Sequence, residues 1–117
     1  MQILKIIALC GVLSILGGAA FAGAVEGPTD HDDTVEEGKI DVYRIRFTGG
    51  EKAMVRAKAH GDDIDLYIYD THDNLIEKDV DDDDVPVCIW TPKWTGEFKV
   101  KIVNNESRSV DYKLETN

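Results

Sequence analysis

The sequence predicts an all-β fold, an antiparallel sandwich or barrel built from about seven short strands. Apolar and polar side chains alternate with a period of two along several segments, which is the pattern of half-buried strands. Glycine, proline and asparagine residues separate these segments at regular intervals and predict turns between them. Beyond residue 22 no segment has a helical period, so the predicted strands must pack against one another.

The first 22 residues are predicted to be a secretion signal peptide. Lys5 supplies a positive charge before the apolar run 6–16, and Ala20-Phe21-Ala22 has the small-x-small pattern that a signal peptidase cleaves. The apolar run is too short and too rich in glycine for a good transmembrane span. We therefore expect a secreted or periplasmic protein that has no stable membrane insertion after cleavage.

Removal of the signal leaves residues 23–117, enough for one small domain. Residues 23–38 are interpreted as an acidic extended lead-in, because Asp, Glu, Gly, Pro and Thr dominate it and little of it can be buried. The sandwich is assigned to residues 39–117. Cys88 is the only cysteine in this part, so the domain has no internal disulfide, and its apolar neighbours predict a buried thiol.

The first two strands of the domain are predicted over residues 40–47 and 52–59. In the first, Arg44 and Arg46 alternate with apolar side chains, and a glycine pair follows as a turn. In the second, small apolar residues alternate with basic ones. Each strand therefore has one face for a core and one face for solvent.

The strand over residues 64–70 has the strictest alternation in the chain. Its isoleucine and leucine side chains share one face, and Asp65, Tyr67 and Tyr69 share the other. A turn and a short strand over 75–78 follow, and the charged run 79–84 is predicted to be a long loop.

The last three strands are predicted over residues 86–91, 97–103 and 110–115. The strand over 97–103 alternates apolar residues with lysines, and the strand over 110–115 alternates apolar with charged residues. Turn residues separate the three segments. Seven strands of this length are typical of a small sandwich.

An ordered set of short motifs spans residues 40–115. It consists of Asp41-Val-Tyr-Arg-Ile-Arg-Phe47, Asp63-Ile-Asp-Leu-Tyr-Ile-Tyr-Asp70, Trp90-Thr-Pro92, Gly96-Glu-Phe-Lys-Val-Lys-Ile102 and Tyr112-Lys-Leu114. This succession resembles the bacterial pre-peptidase C-terminal domain. The resemblance implies a jelly-roll-like β-sandwich of seven to eight strands, related to the collagen-binding modules of bacterial collagenases. Tyr67 departs from the family pattern, which has an acidic residue there.

The same resemblance implies a calcium site. Asp62, Asp63 and Asp65 match the acidic cluster of the family. Related modules draw further ligands from the segment before the domain, and three more candidates follow from that position: Asp33, Glu36 and Glu37. Calcium takes six to eight oxygen ligands in irregular geometry, which suits acidic loops. The alternative is that these carboxylates are solvated and keep the protein soluble.

Exposed aromatic and basic side chains are the candidate ligand-binding residues. Tyr67, Tyr69 and Trp94 are placed away from the predicted core, and aromatic residues of this kind often anchor ligands. The outward positions of the strands carry basic residues: Arg44, Arg46, Arg56, Lys58, Lys99, Lys101 and Lys113. They predict a basic face for a protein or an acidic polysaccharide, or else an ordinary solvated face with cross-strand ion pairs.

Composition excludes other functions. The 23 acidic residues outnumber the 13 basic ones and give a net charge of −10, which opposes nucleic-acid binding. His31, His60 and His72 have no spacing typical of zinc ligands, and no serine pairs with them as a nucleophile. The prediction is a secreted non-enzymatic binding module, stabilised by calcium, that contacts an extracellular protein or polysaccharide. The alternative is an accessory, chaperone or inhibitor partner of an exported peptidase.

Overall fold

The computed structural model describes residues 2–5, 23–82 and 84–117, and these residues form a two-sheet β-sandwich without a helix. The all-β prediction is therefore confirmed. The strands are β1 Gln2–Lys5, β2 Thr29–Val35, β3 Ile40–Phe47, β4 Ala53–Lys58, β5 Ile64–Tyr69, β6 Leu75–Asp79, β7 Val87–Trp90, β8 Gly96–Asn104 and β9 Val110–Thr116. The seven strands predicted from the sequence correspond to β3–β9, with each boundary within one residue of the prediction.

The larger sheet has the strand order β1-β3-β8-β5-β6, and the smaller sheet has the order β2-β9-β4-β7. Every pairing is antiparallel except that of β1 with β3. The inner faces of both sheets carry the alternating apolar side chains that the sequence predicts. The largest fully buried side chains among them are Tyr43, Phe47, Ile64, Leu66, Ile68, Ile102 and Leu114.

Three aromatic rings close one end of this core. Phe47 packs edge-to-face against Trp90 at 4.8 Å between ring centroids, and Trp90 packs similarly against Phe98 at 5.5 Å. Cys88 is fully buried on the same inner face of β7 as Trp90. This position confirms the predicted buried thiol, and burial raises the pKa of the Cys88 thiol to about 12.

The prediction that residues 23–38 form a lead-in outside the sandwich is wrong for β2. This strand pairs with β9 along its whole length, from Thr29 opposite Thr116 to Val35 opposite Val110. Asp30 and Asp32 point to solvent and Asp33 faces the Tyr43 hydroxyl, so no apolar alternation marks the strand, although its backbone makes the sheet hydrogen bonds. Val35 is fully buried and anchors the end of the strand.

The backbone of Gln2–Lys5 pairs in parallel with Ile40–Tyr43 at the edge of the larger sheet. The remainder of the predicted signal peptide, including its cleavage motif at Ala20-Phe21-Ala22, lies outside the described residues. In the part of the chain that the structure describes, no helix is long and apolar enough to cross a membrane.

Because successive strands run in opposite directions, successive loops lie at opposite ends of the sandwich. One end, here called the acidic end, carries the connections 36–39, 59–63, 80–86 and 105–109. The other end, here called the tryptophan end, carries the connections 48–52, 70–74 and 91–95. Most acidic loop residues therefore lie at the opposite end from Trp94.

Candidate functional site

The outer face of the larger sheet carries four of the five candidate ligand-binding residues. In the strand register, Tyr69 lies opposite Lys99, and Lys99 lies opposite Arg44. One row further along, Tyr67 lies opposite Lys101. We call this surface the tyrosine face and define it by Arg44, Arg46, Tyr67, Tyr69, Lys99 and Lys101.

The aromatic side chains of the tyrosine face are held by their neighbours. The rings of Tyr67 and Tyr69 stack with centroids 6.3 Å apart and an angle of 18° between their planes. The Lys101 Nζ lies 4.7 Å from the centroid of the Tyr69 ring, within range of a cation–π interaction. Lys99 forms an ion pair with Asp73. The two tyrosines therefore form an ordered, partly exposed platform.

The single basic face predicted from the sequence is wrong, because the seven basic side chains lie on two opposite surfaces. Arg56 and Lys113 lie on the smaller sheet together with Lys58. Arg56 pairs there with Glu115, and the Lys113 Nζ lies 3.3 Å from the Asp30 Oδ1. The other four basic side chains, Arg44, Arg46, Lys99 and Lys101, lie on the tyrosine face.

Asp65 continues the tyrosine face towards the acidic end. Its Oδ2 accepts a hydrogen bond of 3.0 Å from the Asn105 Nδ2. Burial, followed by the charge of Asp63, raises the pKa of Asp65, and burial also raises the pKa of Tyr67. Asp65 thus belongs to the sheet surface rather than to an acidic loop.

Trp94 lies away from the tyrosine face, at the tryptophan end, and is 62% exposed. It lines a cavity of about 220 Å³, here called the tryptophan pocket. The pocket is surrounded by Asp70, Ile76, Trp90, Thr91, Pro92, Lys93, Trp94 and Phe98. Its floor is the buried aromatic pair Trp90 and Phe98, and its rim is Trp94 and Ile76.

The loop that carries Trp94 is fastened to the β3–β4 turn. The Gly49 amide donates to the Thr95 Oγ1 at 2.9 Å, and the Gly50 amide donates to the Pro92 carbonyl at 2.7 Å. A Cβ atom on Gly49 would lie 2.4 Å from the Trp94 carbonyl carbon. Only glycine allows this approach, so the turn fixes the position of the pocket rim.

The β5–β6 turn forms another wall of the tryptophan pocket. One carboxylate oxygen of Asp70 accepts hydrogen bonds from the amides of His72 and Asn74, both at 2.9 Å, and the other accepts one from the Asn74 side chain. These hydrogen bonds lower the pKa of Asp70. Asp70 therefore stabilises the turn, and both of its carboxylate oxygens are engaged in these hydrogen bonds.

The acidic end contains a second cavity, of about 290 Å³. It is lined by Gly61, Asp62, Asp63, Asp82, Asp84 and Glu106. Arg108 pairs with Asp62, and the Asp63 amide donates to Glu106 at 3.3 Å. The Asp63 Oδ1 is buried and accepts no hydrogen bond from the described residues.

The six residues predicted as calcium ligands are not brought together. Asp62 and Asp63 share the acidic cavity, whereas Asp65 lies on the sheet surface. Asp33 accepts a hydrogen bond from Tyr43 on the β2 side, and Glu36 and Glu37 lie in the β2–β3 turn. Within residues 2–5, 23–82 and 84–117, no three His, Cys, Asp or Glu side chains are grouped so as to hold a metal ion. In this arrangement the six residues do not form one set of ligands.

The sequence analysis missed a buried polar network that joins the two sheets. The Tyr43 hydroxyl donates to the Asp33 Oδ2, and the Tyr112 hydroxyl donates to the Asp41 Oδ2, both at 2.7 Å. The two hydroxyl oxygens also lie in contact with each other. The sequence feature that could have indicated this network is Asp41, an acidic residue at one of the alternate positions of β3 that face the core.

Comparisons with known proteins bear on the fold. No family model matches the chain, and no curated protein matches it. The pre-peptidase C-terminal domain of collagenase from Bacillus anthracis matches with a TM-score of 0.68 at 9% identity, over 100% of this chain and 95% of that one. The chain has the fold of a pre-peptidase C-terminal domain. This confirms the resemblance at the level of the fold.

The pre-peptidase C-terminal fold is also that of a second solved structure. PliG from Aeromonas hydrophila, a periplasmic lysozyme inhibitor of g-type lysozyme, matches with a TM-score of 0.63 at 9% identity. The match covers 100% of this chain and 98% of that one. The same sandwich therefore occurs in a collagenase domain and in an inhibitor of an enzyme.

Proposed function

We propose that the protein is an exported, non-enzymatic binding module that contacts a partner protein through the tyrosine face. The observation that carries this proposal is the stacked pair Tyr67 and Tyr69, set among four basic side chains on a chain of net charge −10. The match to a lysozyme inhibitor supports a binding function, because an inhibitor acts by binding its enzyme.

The ordering of the tyrosine platform favours binding. Association costs free energy when side chains must be immobilised, and rings that are already stacked lose little further freedom. Tyrosine also combines a large apolar surface with a hydroxyl, which explains its frequency at interface centres. Lys101 restrains the Tyr69 ring from above and adds a positive charge at the same place.

The charges of the tyrosine face favour an acidic partner surface. Four basic side chains lie there although the whole chain is acidic, and two of them have acidic partners, Arg44 with Glu97 and Lys99 with Asp73. Such a patch steers oppositely charged partners and repels basic ones. We therefore expect binding to weaken as the salt concentration rises.

Inhibition of an exported enzyme is the second candidate function, favoured by the shared fold with a periplasmic lysozyme inhibitor. In this case the protein would block a g-type lysozyme or an exported peptidase rather than attach to a surface. Adding the protein to g-type lysozyme and measuring cell-wall hydrolysis tests this candidate. Undiminished hydrolysis at excess protein excludes inhibition of that enzyme.

Substitutions on the two sheets test the binding proposal. Binding is measured to immobilised collagen, g-type lysozyme and mucin, with Tyr69→Ala on the tyrosine face and Lys58→Ala on the opposite sheet as the matched control. We expect Tyr69→Ala to weaken binding to the recognised ligand about tenfold or more, as for an interface hot spot. Lys58→Ala should leave it unchanged. Equal effects of the two variants, or no binding to any ligand, would contradict the proposal.

A calcium-stabilised form is a separate proposal, which the resemblance supports and the present arrangement of carboxylates does not. If calcium binds the folded protein, millimolar calcium should raise the melting temperature relative to a chelated sample, and magnesium should not. Asp63→Asn should abolish the rise, and Asp73→Asn, in the β5–β6 turn at the opposite end of the sandwich, should preserve it. A melting temperature that is independent of calcium would show that the carboxylates are solvated.

A further inference from the structure

The tryptophan pocket is connected to the tyrosine face around the edge of the larger sheet. Leu75 lies opposite Tyr69 in the register of β5 and β6, and the next residue, Ile76, lines the pocket. Leu75 and Ile76 are both exposed although they are large and apolar. An apolar path therefore runs from the two tyrosines over β6 to Trp94.

Contiguous exposed apolar surface marks interaction sites on soluble proteins. Trp94 is the most exposed of the large apolar side chains described by the structure. It is held in that position by the Gly49 contact, so the exposure does not arise from a loose loop. Tryptophan is among the residues most enriched at interface hot spots.

The size and lining of the pocket indicate what enters it. Its volume of about 220 Å³ is smaller than the roughly 300–1,000 Å³ of pockets that hold drug-sized molecules. Its floor and rim are aromatic and aliphatic, which suits one bulky apolar side chain, and Asp70, Thr91 and Lys93 complete the lining. Trp90 also has a buried indole N–H that no acceptor among the described residues satisfies.

The charges next to the pocket indicate the rest of the ligand. Lys93 and Asp70 line the pocket, and Lys99 and Arg44, which pair with Asp73 and Glu97, lie in the same row as Tyr69. A segment that leaves the pocket across the tyrosine face therefore passes basic side chains. Acidic residues beside the apolar anchor would complement them.

We propose that the tryptophan pocket anchors one bulky apolar side chain of an acidic, extended protein segment whose remainder crosses the tyrosine face. This inference rests on the proposed function, because it assumes that the tyrosine face binds protein. It adds the identity of the anchor, the acidic character of the partner segment and the direction in which the segment runs.

The two tryptophans of the chain provide a direct reporter. The sequence contains only Trp90 and Trp94, and both line this pocket. Tryptophan fluorescence therefore reports on the pocket, and the anisotropy of a labelled peptide gives its affinity. The probe is a synthetic acidic peptide with one central leucine. The same peptide with alanine in place of leucine, and the same peptide with lysines in place of its acidic residues, serve as controls.

If the inference is correct, the leucine peptide binds at low salt and shifts the tryptophan emission, and both control peptides bind at least about tenfold more weakly. Trp94→Ala and Tyr69→Ala should each weaken the leucine peptide about tenfold. Ile89→Ala, which truncates an exposed apolar side chain on the outer face of the smaller sheet, should have no effect. Trp94 is largely exposed, so its truncation should leave the fold intact.

The other outcomes separate this inference from the proposed function. If the leucine and alanine peptides bind equally, and only Tyr69→Ala weakens their binding, the role of the pocket as an anchor is overturned. The proposed role of the tyrosine face then stands. If Trp94→Ala alone weakens peptide binding, the proposal that the segment crosses the tyrosine face is overturned. Binding of an acidic polysaccharide that depends on Tyr69, without peptide binding, overturns the inference in favour of a polysaccharide ligand. Failure of both peptide and polysaccharide overturns both proposals.

Discussion

Replacing Asn104 by alanine is expected to lower the free energy of unfolding by about 2–4 kcal/mol, because several buried hydrogen bonds are lost together. Asn104 ends β8 and is 1% exposed. Its Nδ2 donates to the carbonyls of Val35, Glu36 and Arg108 at 2.8–3.1 Å. Its Oδ1 accepts from the Glu106 amide at 2.8 Å. One side chain thus joins the β2–β3 turn to the β8–β9 loop.

Urea unfolding of the variant and of Asn105→Ala measures this loss. Asn105 is the matched control, because it is the same residue type at the next position, is exposed, and makes one hydrogen bond to Asp65. We expect Asn105→Ala to change the free energy of unfolding by less than about 1 kcal/mol. Similar losses in the two variants would show that Asn104 does not organise the acidic end.

Replacing Tyr112 by phenylalanine is expected to cost about 2–3 kcal/mol, because a hydrogen bond to a buried acidic side chain is removed. The hydroxyl donates to Asp41, which is fully buried, and also contacts the Tyr43 hydroxyl. The ring remains in the core, so packing is conserved. Tyr67→Phe removes the same atom from the tyrosine face and should change the free energy of unfolding little.

Alkaline unfolding gives this prediction a second measurement. Burial raises the pKa of Tyr43 and Tyr112 above the ordinary value of about 10. The stabilisation from keeping them protonated is complete below pH 10, and it is lost as the pH rises towards the folded-state pKa, because the unfolded chain ionises first. Tyr112→Phe should therefore unfold with a weaker pH dependence above pH 10. An unchanged dependence would mean that Tyr112 ionises as readily in the fold as outside it.

The strands of the domain are predictable because their side chains alternate. Ile64, Leu66 and Ile68 mark the buried face of β5 without reference to the remainder of the chain. β2 is not predictable in this way, because it is a strand through its backbone pairing with β9, which lies far away in sequence. Sequence patterns report burial of side chains better than pairing of backbones.

The candidate site is predictable only in part, for a related reason. Alternation shows that Arg44 and Arg56 both point to solvent, but it does not show that they lie on opposite sheets. The tryptophan pocket depends on the contact between Gly49 and the Trp94 loop, and no local pattern encodes that contact. Tyr67 and Tyr69 were identified together because they lie two residues apart on one strand.

The separation of the two ends makes the molecule an electric dipole. Carboxylates concentrate at the acidic end, in residues Glu36, Glu37, Asp62, Asp82, Asp84 and Glu106, whereas at the other end Lys52, Lys93 and Lys99 balance Glu51, Asp70 and Asp73. In the field of a negatively charged surface such a molecule experiences a torque before it makes contact. It rotates so that the acidic end points away from that surface and Trp94 points towards it. The orientation at first encounter is thus determined by loops that take no part in the contact.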